Sequence, residues 1–201
     1  LMKFPQVAGI RNFQINTYPD LRPASLNTGS TVKQIYTTRG AFAALKNDGS
    51  VVVWGANTYG GDNTAEIQAL TNVKEIYSTL KAFAALKNDG SVYAWGDDNY
   101  GGDNSVLYTS NLSNVKKIYS TERAFAALKD DGTVFVWGDN NYGGNNDDVS
   151  SLNEVKEIYT TRAAFAALKY DGTMHSWGYN DNGGAEYEAG TRTNVKEVYS
   201  N

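Results

Sequence analysis

Positively charged side chains recur in short turns along the chain and could bind an anion. The turns read TTRG, STLK, STER and TTRA, and each lies between two short hydrophobic stretches. Each turn carries a cation at a nearly equivalent position: Arg39, Lys81, Arg123 and Arg162. If the turns surround one opening, these cations would attract an anion or an acidic partner. Alternatively, they are solvated turn residues that pair with nearby carboxylates such as Glu122 and Asp98.

A second group of candidate residues lies in loops that follow a Trp-Gly pair. Three of these loops carry a tyrosine at the same position, and Asn182 breaks the series in the fourth; the tyrosines are Tyr59, Tyr100 and Tyr142. If exposed, they would form an aromatic rim that binds a glycan or a protein, and if buried they would fix each loop to its sheet. The loops are also rich in the oxygen ligands that Ca²⁺ prefers. None has the D-x-D-x-D-G spacing with a distal Glu, so we expect no metal site.

Residues that enzymes use for catalysis are sparse. The chain has no cysteine and one histidine, His175, which stands where related segments carry an apolar strand residue. It contains neither a G-x-S-x-G nucleophile motif nor a glycine-rich phosphate-binding loop. Asp147 and Asp148 are adjacent in a hydrophilic loop, where nothing would separate their pKa values. The sequence therefore predicts a protein that is not an enzyme and needs no cofactor.

The overall composition excludes further classes of function. The 201 residues carry a formal net charge of −4, whereas a general nucleic-acid binder needs clustered Lys and Arg. The longest apolar runs are about five residues, too short to span a bilayer, so we expect no membrane insertion. The lack of cysteine fits a reducing cytosol and a cysteine-poor bacterial surface protein equally well.

An internal repeat positions all of these residues. The Trp-Gly tryptophans are Trp54, Trp95, Trp137 and Trp177, in steps of 41, 42 and 40 residues, and AFAAL recurs with the same steps. Each copy predicts three β-strands, the last two joined by an Asp-Gly hairpin turn. Because the middle strand is apolar on both faces, each sheet should be packed between two neighbours, like a propeller blade. We assign the tryptophans a structural role between these blades.

The two ends of the chain complement each other. INTYPD at residues 15–20 matches ANTYGGD at 56–62, so residues 1–31 read as a degenerate copy that lacks its first strand, and NVKEVYSN at 194–201 supplies one. The sequence thus predicts an all-β fold, a five-bladed β-propeller of repeats of about 40 residues, closed by pairing of the C-terminal strand with the N-terminal segment. The rival prediction is that this strand completes a blade of an adjacent molecule. One domain spans 1–201, with blades at 1–31 plus 194–201, 32–72, 73–114, 115–154 and 155–193.

The third copy resembles the regulator of chromosome condensation repeat. That family's pattern is a small-residue strand ending in A-L, a D-G turn and W-G-x-N-x-x-G; the matching residues are Ala127-Leu128, Asp131-Gly132, Trp137-Gly138, Asn140 and Gly143. The resemblance covers residues 32–201 and implies a β-propeller. The short period is most similar to the bacterial branch, which includes a secreted propeller-type β-lactamase inhibitor and repeats of surface proteins.

Two departures from the family limit what the resemblance implies. Family propellers commonly have seven blades rather than five, and the usual G-Q-L-G is replaced here by GGD, GGN or GGA. The nucleotide-exchange activity found in the family depends on loops that have no counterpart here, so we do not carry it over. We predict a non-catalytic binding or assembly module at a bacterial cell surface or in a secreted protein, which binds a protein partner or itself. The alternatives are a carbohydrate-binding lectin propeller and a subunit that polymerises by strand exchange.

Overall fold

The computed structural model of the protein describes residues 29–103, 105 and 112–184. They form four three-stranded antiparallel sheets, in which the strands follow one another in chain order. We call each sheet a blade. The first strands are β1 (Val32–Thr37), β4 (Val73–Ser78), β7 (Val115–Ser120) and β10 (Val155–Thr160). The second strands are β2 (Ala41–Lys46), β5 (Ala82–Lys87), β8 (Ala124–Lys129) and β11 (Ala164–Lys169). The third strands are β3 (Val51–Gly55), β6 (Val92–Gly96), β9 (Val134–Gly138) and β12 (Met174–Gly178).

The loops after the third strands contain short helical turns. Four 3₁₀ turns follow the Trp-Gly pairs at Asn57–Tyr59, Asp98–Tyr100, Asn140–Tyr142 and Asn180–Asn182. A further 3₁₀ turn spans Asn146–Val149, and the short helix α1 spans Ala65–Gln68. The predicted all-β class and the three-stranded repeat are confirmed. The predicted fifth blade lies outside the described residues, apart from residues 29–31, and so stays a prediction.

The hydrophobic core lies between consecutive blades. Ala43, Leu45 and Val53 of the first described blade pack against Ile76 and Phe83 of the next, and equivalent sets fill the following two interfaces. These five side chains are at most 1% exposed. Alanine in the middle strands adds little bulk, so neighbouring sheets approach closely and exclude water from a continuous apolar layer.

The first strands form the inner surface of the assembly of blades. Between neighbouring blades β1 contacts β4, β4 contacts β7 and β7 contacts β10. In a propeller the strands that lie closest together are those nearest the axis, because the blades spread apart outward. We refer to the side of these four strands that faces the axis as the inner surface.

The Asp-Gly turns lie at one end of the blades and bond to the next blade. The aspartate of each turn accepts hydrogen bonds from the backbone N–H and hydroxyl of the Ser or Thr two residues later, as Asp89 does from Ser91. These bonds, the hydroxyl bond foremost, lower the pKa values of Asp48, Asp89, Asp131 and Asp171. Only the glycine of each pair has positive φ, so the turn is a type I turn followed by a left-handed residue. The Gly49 carbonyl accepts a 3.0 Å hydrogen bond from the Val73 N–H at the start of β4.

Candidate functional site

The turns between first and second strands and the loops after the third strands share one face, as the sequence predicts. We call it the turn face. The Thr38 hydroxyl donates to the Tyr59 carbonyl at 2.9 Å. The equivalent bonds in the next three blades are 2.8–3.0 Å long and link Thr79 to Tyr100, Thr121 to Tyr142 and Thr161 to Asn182. Each turn is thereby tied to the loop after the third strand of its own blade.

A chain of backbone hydrogen bonds joins the turns of successive blades. The Arg39 N–H donates to Leu80 O, the Leu80 N–H to Glu122 O and the Glu122 N–H to Arg162 O, each at 2.9 Å. These bonds show which turn residues are equivalent. Arg39 and Arg162 share one position, whereas Lys81 and Arg123 lie one residue later. The predicted set of four cations therefore occupies two adjacent turn positions rather than one.

Lys81 and Arg123 alternate with the three predicted tyrosines in a continuous stack. The Lys81 Nζ lies 5.3 Å from the centroid of the Tyr59 ring and 4.7 Å from that of Tyr100. The Arg123 Cζ lies 5.0 Å from the Tyr100 centroid and 4.7 Å from that of Tyr142. All four distances fall in the cation–π range. The order Tyr59, Lys81, Tyr100, Arg123, Tyr142 crosses three blades, so the two groups of candidate residues form a single structure, which we call the cation–π stack.

Three of the four predicted cations also pair with carboxylates of the turn face. Lys81 lies 3.5 Å from Asp97, and Arg123 lies 3.5 Å from Asp139. Asp97 and Asp139 are the N-caps of the 3₁₀ turns, where each also accepts a backbone N–H. The sequence pointed to Asp98, and the partner is the residue before it. A recurring Asp directly after Trp-Gly in the second and third copies was the signal that could have identified both partners.

The exposed Arg162 pairs with Glu122, as the alternative interpretation of the sequence expected. The Arg162 Nε lies 3.0 Å from Glu122 Oε2, and this hydrogen bond raises the pKa of Arg162. Arg39 is also exposed, and among the described residues it forms no ion pair. The tyrosines Tyr59, Tyr100 and Tyr142 are half-buried. Part of each tyrosine is therefore accessible, and at least one cation lies against each ring.

The tryptophans lie at the interfaces between blades. Trp95, Trp137 and Trp177 are 6%, 2% and 2% exposed. Each stacks on the phenylalanine that pairs with it in the second strand of its own blade, with ring centroids 5.1–5.2 Å apart. Their indole N–H groups donate to carbonyls of the preceding blade at 3.0–3.1 Å: Gly60, Gly101 and Gly143. Trp54, in the first described blade, is half-buried and stacks on Phe42.

The remaining chemical candidates do not converge on a reaction centre. The His175 Nε2 lies 3.0 Å from the Asp148 carbonyl and its ring lies beside Trp177, so it is a packed strand residue. Asp147 and Asp148 occupy the 3₁₀ turn Asn146–Val149. In the described part of the chain, no three His, Asp or Glu side chains are placed to hold a metal ion. No helix among these residues has the length and apolar character needed to cross a membrane.

The inner surface carries polar residues that the sequence analysis did not single out. The Tyr77 hydroxyl donates to Glu75 at 2.7 Å, and the Tyr119 hydroxyl donates to Glu157 of the next blade. Burial and these bonds raise the pKa values of both tyrosines. Burial opposes ionisation of Glu157, but hydrogen bonds from Tyr119 and Lys117 outweigh it and lower its pKa. The V-K-x-I-Y motif, which recurs in the same steps as the tryptophans, was the available signal.

Comparisons with known proteins agree with this architecture. Residues 115–143 match the model of the Regulator of chromosome condensation (RCC1) repeat. No curated protein matches the sequence. Solved structures with a similar fold include Prp20p from Saccharomyces cerevisiae, studied with its binding to Gsp1p and histones, at 18% identity and a TM-score of 0.55, over 77% of this chain and 47% of Prp20p. Yeast Prp20 bound to Kap60 matches at 23% identity and a TM-score of 0.53, over 80% of this chain and 44% of that one.

A plant receptor shares the same fold. The CRINKLY WD40 ectodomain of the Arabidopsis thaliana receptor kinase ACR4 matches at 19% identity and a TM-score of 0.52, over 78% of this chain and 56% of that one. The chain thus spans about half the length of the structures it matches. At these identities the likeness shows the fold, and the activities of these proteins are not transferred to this chain. Residues 115–143 thus carry a regulator of chromosome condensation repeat, the in-phase copies resemble it, and the similar solved structures show the fold.

Proposed function

We propose that the chain is a non-catalytic module that binds a protein partner through its turn face. The cation–π stack is the observation that carries this proposal. Tyrosine and arginine are the residue types, with tryptophan, that most often dominate the binding energy of protein interfaces. In the stack they are held by Asp97, Asp139 and one another before any partner arrives, so binding would cost little side-chain entropy. The binding of Gsp1p, histones and Kap60 by Prp20 is a precedent for protein binding on this fold.

The ion pairs of the turn face affect how strongly it would attract an acidic partner. Lys81, Arg123 and Arg162 are already paired with carboxylates, which reduces their attraction for an anion. An acidic partner would therefore be met chiefly by Arg39, which is exposed and forms no ion pair among the described residues. A lectin takes second place, because Lys81 and Arg123 both lie against the Tyr100 ring and compete there with a stacking sugar.

A peptide-display library and a glycan array, screened in parallel, would test this function. We expect the protein to select peptides and to lose at least about tenfold in affinity for them when Tyr142→Ser and Arg123→Met are combined, because hot-spot side chains of this kind contribute about 2 kcal/mol or more each. Lys87→Met with Lys129→Met, at the opposite end of the blades, is the matched control and should bind normally. Selection of glycans but no peptides would contradict the proposal and favour the lectin.

We also propose that the protein acts at a bacterial cell surface or is secreted. This rests on the similarity of the short repeat to the bacterial branch of the family, and the lack of cysteine is compatible with that location. Protease added to intact cells that make the native full-length protein should remove it from the surface, or it should be recovered from the medium. Complete protection until the cells are lysed would contradict this location.

The closure of the propeller by a fifth blade is a further part of the proposal. Val32, Ile35 and Phe42 are 37%, 52% and 43% exposed on one face of the first described blade. Their counterparts in the next blade are 4%, 1% and 0% exposed: Val73, Ile76 and Phe83. Because each of the other three blades buries this face against the blade before it, the first blade requires the same cover. Residues 1–31 with 194–201 are the segment we propose for that role.

Removal of residues 194–201 tests the closure. We expect the shortened protein to aggregate or unfold, because the fifth blade would lose its first strand and expose a sheet edge. The full chain should be a monomer by light scattering. A stable oligomer of the full chain that dissociates after the deletion would contradict self-closure and support strand exchange between molecules. A shortened chain that stays monomeric with an unchanged Tm would exclude both arrangements.

A further inference from the structure

We propose that the inner surface binds a compact multivalent anion through a ring of lysines at its Asp-Gly end. One lysine of each described blade contributes to this lysine ring, in steps of 41, 42 and 40 residues: Lys33, Lys74, Lys116 and Lys156. All four are exposed. The site lies at the opposite end of the blades from the turn face and is independent of the protein-binding function proposed above.

A β-bulge places each of these lysines. Val32 pairs with Lys46 and Gln34 pairs with Leu45, so Lys33 is the extra residue and has no partner in the ladder. The same register shift occurs at the other three lysines. A bulge turns the side chain of the extra residue away from the regular alternation of the strand. Since Lys46 directly precedes the Asp-Gly turn, the bulge lies at that end of the first strand.

The first strands bring the lysine positions of neighbouring blades together, and one lysine is seen to reach the next. The first strands contact each other from blade to blade, and the Lys33 Nζ donates to the Lys74 carbonyl at 3.3 Å. The ammonium group of one blade therefore reaches the bulge of the next. A ligand at this end of the inner surface would meet several ammonium groups together.

The lysine ring lacks the carboxylate partners that other cations of the protein have. Within the described residues none of its four members forms an ion pair, whereas Lys87 pairs with Asp89 and Lys129 with Asp131 at the same end of the blades. The four first strands contain five lysines and two glutamates, a net charge of +3, in a chain whose net charge is −4. Neighbouring like charges repel, and a bound multivalent anion would relieve that repulsion.

A different role for these lysines is protection of the inner sheet edge. Lysine and β-bulges on edge strands discourage pairing with other chains. Edge protection explains why the residues are lysines but gives the protein no affinity for anions. A measurement of anion binding therefore distinguishes the two roles.

Calorimetric titration of the full chain with tripolyphosphate and with a hexaglutamate peptide tests the inference. We expect saturable binding of at least one, weakened about tenfold or more by Lys74→Gln with Lys116→Gln, since hydrogen bonds to charged groups of this kind are worth about a tenfold change each. The matched control, Lys87→Gln with Lys129→Gln, removes the same charge at the same end and should change the affinity by less than about twofold. The Lys74 and Lys116 variant should keep its Tm, which separates lost binding from lost folding.

The two ligands distinguish the source of the anion. Binding of tripolyphosphate alone assigns the site to phosphate groups, and binding of hexaglutamate, with or without tripolyphosphate, assigns it to carboxylates of a peptide. The inference is overturned if the wild-type protein binds neither ligand, or if the control variant loses as much affinity as the Lys74 and Lys116 variant.

Discussion

Trp137→Ala should lower the free energy of unfolding by about 3–5 kcal/mol. The indole is 2% exposed, stacks on Phe125 at 5.1 Å and donates to the Gly101 carbonyl of the preceding blade. Its removal opens a cavity between two blades and leaves that carbonyl without its donor, and the two effects add. Urea unfolding, monitored by far-UV circular dichroism, measures this change in the free energy of unfolding.

Trp137→Phe separates the two contributions. Phenylalanine retains an aromatic ring beside Phe125 but has no N–H for Gly101, so its cost should be well below that of alanine. Trp54, half-buried beside the exposed Phe42, is the comparison site for the same pair of substitutions. An unchanged unfolding midpoint for Trp137→Ala would show that the side chain is not wedged between blades in solution.

Gly143→Ala should destabilise the protein by about 3 kcal/mol, from backbone strain together with a clash. Gly143 has a φ of +93°, and a Cβ there would lie 2.6 Å from the Phe165 ring of the next blade. Phe165 is 1% exposed and packed in the core between the third and fourth described blades, so it cannot move aside easily. Thermal unfolding of the variant measures the loss.

Gly183→Ala is the matched control and also probes the fifth blade. Gly183 occupies the same place in the next loop with a φ of +94°, but no described residue lies within 4 Å of its added Cβ. Strain alone predicts a loss of about 1 kcal/mol. If a fifth blade packs there as each other blade packs on its predecessor, the loss should approach that of Gly143→Ala. If Gly143→Ala costs no more than the roughly 1 kcal/mol expected from strain alone, the result would contradict the packing role of Phe165.

The architecture of the blades was largely predictable from the sequence because its determinants are local. Asp-Gly turns, apolar middle strands and the steps of Trp54, Trp95 and Trp137 each specify a strand boundary or an interface position without reference to distant residues. The three-stranded blades follow from them directly. Pairing between the two ends of the chain is a long-range contact, and local patterns of this kind do not specify it.

The composition of the candidate site was predictable, but its arrangement was not. Arg39, Lys81, Arg123 and Arg162 are separated by 42, 42 and 39 residues, unlike the repeat steps of 41, 42 and 40, and this difference signals their two turn positions. The placement of Lys81 and Arg123 between tyrosine rings depends on how closely the blades approach, which the alanines of the middle strands decide. The lysine ring was missed because a bulge is a property of register between two strands, and register is not visible in either strand alone.

The way neighbouring blades are joined has a consequence for how the chain folds. Each inter-blade hydrogen bond described above connects consecutive blades, and the most widely separated partners, Leu80 and Glu122, are 42 positions apart. Contacts of this range need only modest loop closure, so one blade pair can form early and extend in either direction as successive copies leave the ribosome. If the two ends of this chain pair as proposed above, that pairing is the single step that spans residues 1–201. We therefore expect it to come last and to set the overall rate of folding.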